Sequence, residues 1–74
     1  MKEENEEFAH KVEFKLIDES RLNIYYHGAD DVARGEVEIA ICDIMGFMTV
    51  INKDKILWSR WNDNKIKIER SMVQ

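Results

Sequence analysis

Residues 31–51 read DVARGEVEIAICDIMGFMTVI, and the architecture turns on whether they form one helix or two strands. Ala33, Val37, Ala40, Ile41, Ile44, Met48 and Ile51 recur at helical spacing on one stripe. Asp30 or Asp31 suits an N-terminal cap and favours the dipole there. Asn52, with Lys53 beside it, suits the C-terminal end. Against a helix, the stretch is rich in β-branched residues, EVEIAICD alternates as a strand does, and Gly46 fits a turn.

The flanks tip the choice. KVEFKLIDESRLNIYY at 11–26 and KILWSRWNDNKIKIER at 55–70 superpose without a gap at a spacing of 44 residues. Val12 falls on Ile56, Phe14 on Trp58, Ile17 on Trp61, Leu22 on Ile66 and Ile24 on Ile68, so each block reads as a β-hairpin. A three-residue loop, Asp18-Glu19-Ser20, pairs Leu16 with Leu22, Phe14 with Ile24 and Val12 with Tyr26, all on one face. By the same rule Asn62-Asp63-Asn64 closes the second hairpin, with Asn64 suited to a left-handed position. Trp58 then meets Ile68, Arg60 meets Ile66 and Ile56 meets Arg70. Arg60 is awkward on that inner face: it must snorkel out or pair with a carboxylate such as Asp43, or the register is wrong.

Two like hairpins joined by a crossing helix give an α+β expectation, ββαββ. This is a four-stranded antiparallel sheet with a helix at about 31–51 packed on one face. Residues 10–74 form the single domain, and 1–9 an acidic N-terminal arm. Six strands would instead suggest a small all-β open barrel with a short N-terminal helix.

Composition narrows the function classes. The chain has 74 residues, with 11 Lys and Arg against 15 Asp and Glu, a formal net charge of −4. A core of this size is marginal without a staple. One cysteine, Cys42, excludes an intrachain disulfide, and His10, His27 and Cys42 at long spacings do not make a zinc site. Self-association is the expected remedy. The acidic balance opposes broad nucleic-acid binding, no apolar run approaches a membrane span, and MKEENEEF is unlike a signal peptide. A lone thiol suits the cytoplasm.

Three surfaces follow from the expected fold. The back of the helix carries Val32, Gly35, Ile39, Cys42, Gly46 and Val50, flanked by Glu36 and Asp43, where small residues admit a second helix; this is the expected homodimer contact. Ile39→Asp should dissolve such a dimer, and Trp61→Ala should spare it. The outer face of the sheet presents Ile17, Tyr25, Leu57 and Trp61 among Lys15, Arg21, Lys65 and Lys67. Large apolar groups on a wet face point to a protein partner, and Lys, Arg and rings together are the ingredients of a single-strand nucleic-acid platform. The acidic remainder, Glu3, Glu4, Glu6, Glu7, Asp30, Asp31, Glu36, Glu38 and Asp43, would let the chain imitate nucleic acid as an inhibitor, though ordinary solvated charge explains it as well.

No phosphate loop, paired metal ligands or catalytic spacing appears. His27 beside Asp30 and Asp31 has the makings of an acid–base pair but no nucleophile, and Cys42 reads as a small apolar filler. The expectation is a non-enzymatic binding or regulatory module without cofactor or metal. It would act by protein–protein contact, with single-stranded nucleic-acid binding as the alternative.

Overall fold

A computed structural model describes residues 7–69. The alternation of the first hairpin produces strands β1 (Glu7–Leu16) and β2 (Arg21–Tyr26). Val12, Phe14, Leu16, Leu22, Ile24 and Tyr26 share a face as expected, but the partners differ. Val12 faces Ile24 and Phe14 faces Leu22. The loop has three residues but lies one position earlier, at Ile17-Asp18-Glu19. The Leu16 N–H donates to the Ser20 carbonyl (2.9 Å) and the Glu19 N–H to the Leu16 carbonyl (2.9 Å). Asp18 decides this: its Oδ1 accepts from the Ser20 N–H (3.0 Å) and the Ser20 hydroxyl (2.6 Å), closing an Asx-type turn. The resulting two-residue change of partner leaves every side chain on its own face, so the hydrophobic pattern cannot reveal it. Glu7, Phe8 and Ala9, read as the end of an arm, open β1, and residues 1–6 lie outside the described residues.

The expected helix over 31–51 does not form, and the α+β reading is corrected to an all-β fold of two antiparallel sheets. A 3-10 turn at Ala29–Asp31 leads into β3 (Val32–Arg34), β4 (Glu38–Cys42) and β5 (Met48–Asn52), a meander in the order β3-β4-β5. Neither Asp30 nor Asp31 caps a helix, and Asn52 ends a strand that runs into a second 3-10 turn, Lys53–Lys55. Two features defeat the helical stripe. Val32, Ile39, Ile41, Thr49, Val50 and Ile51 are stiff at χ1 and fit a pleated surface. Gly46, at φ 92°, occupies a left-handed position that a helix interior excludes. Around it the Asp43 N–H donates to the Phe47 carbonyl and the Gly46 N–H to the Asp43 carbonyl, both at 2.9 Å. The Asp43 carboxylate also accepts from the N–H groups of Met45 (2.9 Å) and Phe47 (3.0 Å). This is the same hydrogen-bond pattern as the Leu16–Ser20 loop, with Gly46 in the place of Glu19.

The second hairpin is also corrected. Strands β6 (Ile56–Trp61) and β7 (Ile66–Ile68) do not pair with each other. Both run antiparallel to β1, β6 along residues 12–16 and β7 along residues 7–9. Trp58 faces Lys15 instead of Ile68, Arg60 faces Glu13 instead of Ile66, and Ile56 faces Leu16, while Arg70 lies outside the described residues. Asn62-Asp63-Asn64 is not a hairpin loop: the Asn62 N–H donates to the Lys11 carbonyl (2.9 Å) and continues the β1 ladder. The long β1 strand has pairing groups beyond those that β2 uses, and β6 and β7 together take up residues 12–16 and 7–9, which a self-contained β6–β7 hairpin would leave bare.

The core lies between the sheets. Val12, Phe14, Ile24 and Tyr26 from the first meet Ile39, Ile41 and Ile51 from the second, with Leu16, Leu22, Val32, Ile56 and Trp61 at the margins. Phe14, Ile41 and Val12 are fully buried, each stabilising the fold by about 1.5–3 kcal/mol. A smaller cluster sits on the other side of the first sheet. There the β4–β5 turn crosses the edge of β2, donates the Ile44 N–H to the Tyr25 carbonyl (2.9 Å), and packs Ile44 with Ala9, Ile68, Tyr25 and Ile66.

Candidate functional site

Side-chain alternation along β1 turns Lys11, Glu13 and Lys15 away from the core that Val12 and Phe14 enter. The register adds Arg21, Asn23 and Tyr25 from β2, and Trp58 and Arg60 from β6. Glu13 sits at the centre with its side chain only 15 % exposed. It holds Arg21 Nη1 at 3.2 Å on one flank and Arg60 Nη1 at 3.7 Å on the other. The two guanidiniums lie 5.7 and 5.2 Å from the centroid of the Trp58 ring, within cation–π range. Lys15 reaches toward the turn, donating to the Glu19 carbonyl (3.1 Å). The face therefore carries four cations, Lys11, Lys15, Arg21 and Arg60, around the central Glu13, with Glu19 Oε1 3.9 Å from Lys15 Nζ at the hairpin end, Glu7 at the far end of β1, and an exposed tryptophan near both arginines.

Only part of the expected platform is on this face. Lys15 and Arg21 are there and directly paired. Tyr25 is on it but covered by the Ile44 cluster. Trp61 is on the opposite side: it faces Val12 and meets Phe14 (5.8 Å, 85°) and Tyr26 (6.0 Å, 73°) edge-on, with the Arg34 guanidinium 4.1 Å from its ring centroid. Ile17 is exposed in the hairpin loop, Leu57 is exposed where β6 bulges against Lys15 and Leu16, and Lys65 and Lys67 stand by β7. Trp58 and Arg60 are the members that sequence reasoning missed. Their signal was the awkwardness of an inward Arg60, which resolves once β6 pairs with β1.

The expected dimer strip is dispersed. Ile39 is in the core, Val32 packs at its margin, and Gly35 and Gly46 sit in turns. Cys42 and Val50 do reach an outer face, that of the second sheet, with Ala33, Ala40 and Met48. Glu38 lies on this face and Glu36 in one of its turns, yet the rest is apolar and open: Val37, Met45, Phe47, Met48 and Val50 make up five of the nine large apolar side chains exposed among the described residues. Among the described residues β5 pairs only with β4, and no described strand lies along its other edge. Among the described strands it alone contains no Asp, Glu, Lys or Arg. Beside that edge runs a groove of about 530 Å³ between Thr49–Asn52 and the Leu16, Ile17 and Leu22 side chains.

Other chemistry-bearing residues are dispersed or structural. His27 Nε2 lies 2.9 Å from Glu7 Oε2, and no bond joins it to Asp30 or Asp31. Asp43 is consumed by its turn, and Glu3, Glu4 and Glu6 fall outside the described residues. A cleft of about 450 Å³ is lined by His10, Tyr26, Arg34, Asn62 and Asp63. Burial raises the Tyr26 phenol above its ordinary value, and Arg34 opposes that rise. Among the described residues no group of three His, Cys, Asp or Glu is placed to hold a metal ion, and no helix is long and apolar enough to cross a membrane. No family model matches the chain, and no curated protein or solved structure is significantly similar to it.

Proposed function

We propose that the protein is a non-enzymatic binding module that acts as a homodimer, joined along the free edge of β5. The supporting observation is that this edge is apolar, exposed and uncharged. Natural sheets guard open edges with lysine, proline or bulges, and β2, β3, β6 and β7 all carry an Arg or Lys, while β5 carries none of these guards.

Its backbone is self-complementary. Asp43 and Phe47 form a hydrogen-bonded pair at the turn, and the Lys53 N–H donates to the Val37 carbonyl at the far end. Antiparallel alternation then turns the N–H and C=O groups of Met48, Val50 and Asn52 outward. A twofold axis at Val50 sets Val50 against its copy and Met48 against Asn52, satisfying all three outward donors and acceptors without opposing like charges. Ile17 and Leu22 across the groove extend the apolar contact. The joined sheets present a continuous outer face of Ala40, Cys42, Met48 and Val50 for a further protein partner. The unpaired Cys42 thiol supports a cytoplasmic setting.

Sedimentation or light scattering tests the reading. Val50→Lys places a charge at the twofold axis and should give a folded monomer where the parent is a dimer. Val50→Pro should do the same, because it deletes only an N–H that β4 does not use. A parent chain that stays monomeric at high micromolar concentration, or a Val50→Lys variant that stays dimeric, overturns it. Ile39→Asp is no longer a test, since Ile39 is a core residue and its charge would unfold the chain.

A further inference from the structure

We propose that the outer face of the first sheet binds single-stranded nucleic acid, with a base stacked on Trp58 and the flanking phosphates held by Lys11, Arg21 and Arg60. The site lies on the other sheet from β5 and does not depend on the dimer. Three observations carry it. Trp58 is 37 % exposed on a polar face, where its neighbours are two guanidiniums and not the apolar core. Two guanidiniums from different strands flank the ring and are 61 % and 76 % exposed, so both can reach an incoming oxyanion. Glu13 is shared by both arginines, Glu19 stands by Lys15 and Glu7 by His27, so around Trp58 the cations Lys11, Lys15, Arg21 and Arg60 outnumber the carboxylates in a chain of net charge −4.

The ligand class follows from the combination. An acidic peptide needs the cations but gives Trp58 nothing to do. A duplex hides its bases, and the face formed by β2, β1 and β6 carries no helix to enter a groove. A single strand matches both features, since every base has a face to stack and every step has a phosphate.

The test is fluorescence anisotropy of a labelled mixed-sequence oligonucleotide of about twelve residues, as single strand and as duplex, in low and moderate salt. The single strand should bind more tightly than the duplex, and log affinity should fall with log salt at a slope of about −2, as three phosphate contacts require. Trp58→Ala should weaken binding about tenfold, with far-UV circular dichroism confirming the fold. Trp58→Phe should recover part of the loss, and Arg21→Gln with Arg60→Gln should make the salt slope shallower by about 1.4, at about 0.7 per contact. Val50→Lys should retain Trp58-dependent binding, which separates failure here from failure of the dimer. The proposal is overturned by absence of salt-sensitive binding, by affinity indifferent to Trp58→Ala, or by equal affinity for a poly-glutamate peptide.

Discussion

Glu19 holds the third position of the first hairpin loop at φ 77°, where a side chain with a Cβ is disfavoured by about 1 kcal/mol or more. Gly46 holds the equivalent position of the β4–β5 loop at φ 92° and meets nothing within 4 Å of an added Cβ. The pair predicts opposite responses in urea denaturation: Glu19→Gly should stabilise the chain by about 1 kcal/mol, and Gly46→Ala should destabilise it by a similar amount. The same loop supplies a pH dependence. The Ser20 hydroxyl and N–H, donating to Asp18, hold its carboxyl below the ordinary value. A lowered folded-state pKa contributes stability above the unfolded value, near 3.9, and loses it as pH falls through the folded value. The stability gap between parent and Asp18→Ala should therefore be constant near neutrality and close below about pH 4. The sequence signalled Gly46 as a turn residue by its type. It did not signal Glu19, because glutamate is not a residue that marks a left-handed position.

At the scale of strands, period-two alternation specifies faces and says nothing about partners. That is why the faces of β1 and β2 were legible while their register was displaced by two residues. It is also why the resemblance between 11–26 and 55–70 suggested two self-contained hairpins where β6 and β7 both pair with β1. The error had a definite effect on the candidate site, exchanging the roles of Trp58 and Trp61. Within 31–51 the helical and strand periods both bury Ile41 and Ile51 and part at Met48, which the strands turn outward, and the turn chemistry of Asp43 and Gly46 carried the decision. Glu13 gives the β1–β6 pairing its own test. Replacing it with Ala releases Arg21 and Arg60 together and should cost about 0.5–1 kcal/mol, the range for partly exposed ion pairs. It should also change the Trp58 fluorescence environment, which a β6–β7 hairpin would leave untouched.

For the whole molecule, the two sheets share one small core and turn unlike faces outward: a cationic one around Trp58, and an apolar one ending at an unguarded edge. A chain of 74 residues with a free thiol and no disulfide gains most from covering the second of these. Composition motivates the proposed self-association. The edge proposed for it was not legible there, because it depends on which residues of 31–51 alternate outward. Amide hydrogen exchange of Met48, Val50 and Asn52, followed from dilute to concentrated protein, examines that edge directly. Edge pairing predicts that these three amides become protected as concentration rises, Val50 most of all, while those of Thr49 and Ile51, already bonded to β4, change little. Rapid exchange at Val50 at every concentration, in a sample shown by light scattering to be dimeric, would contradict it.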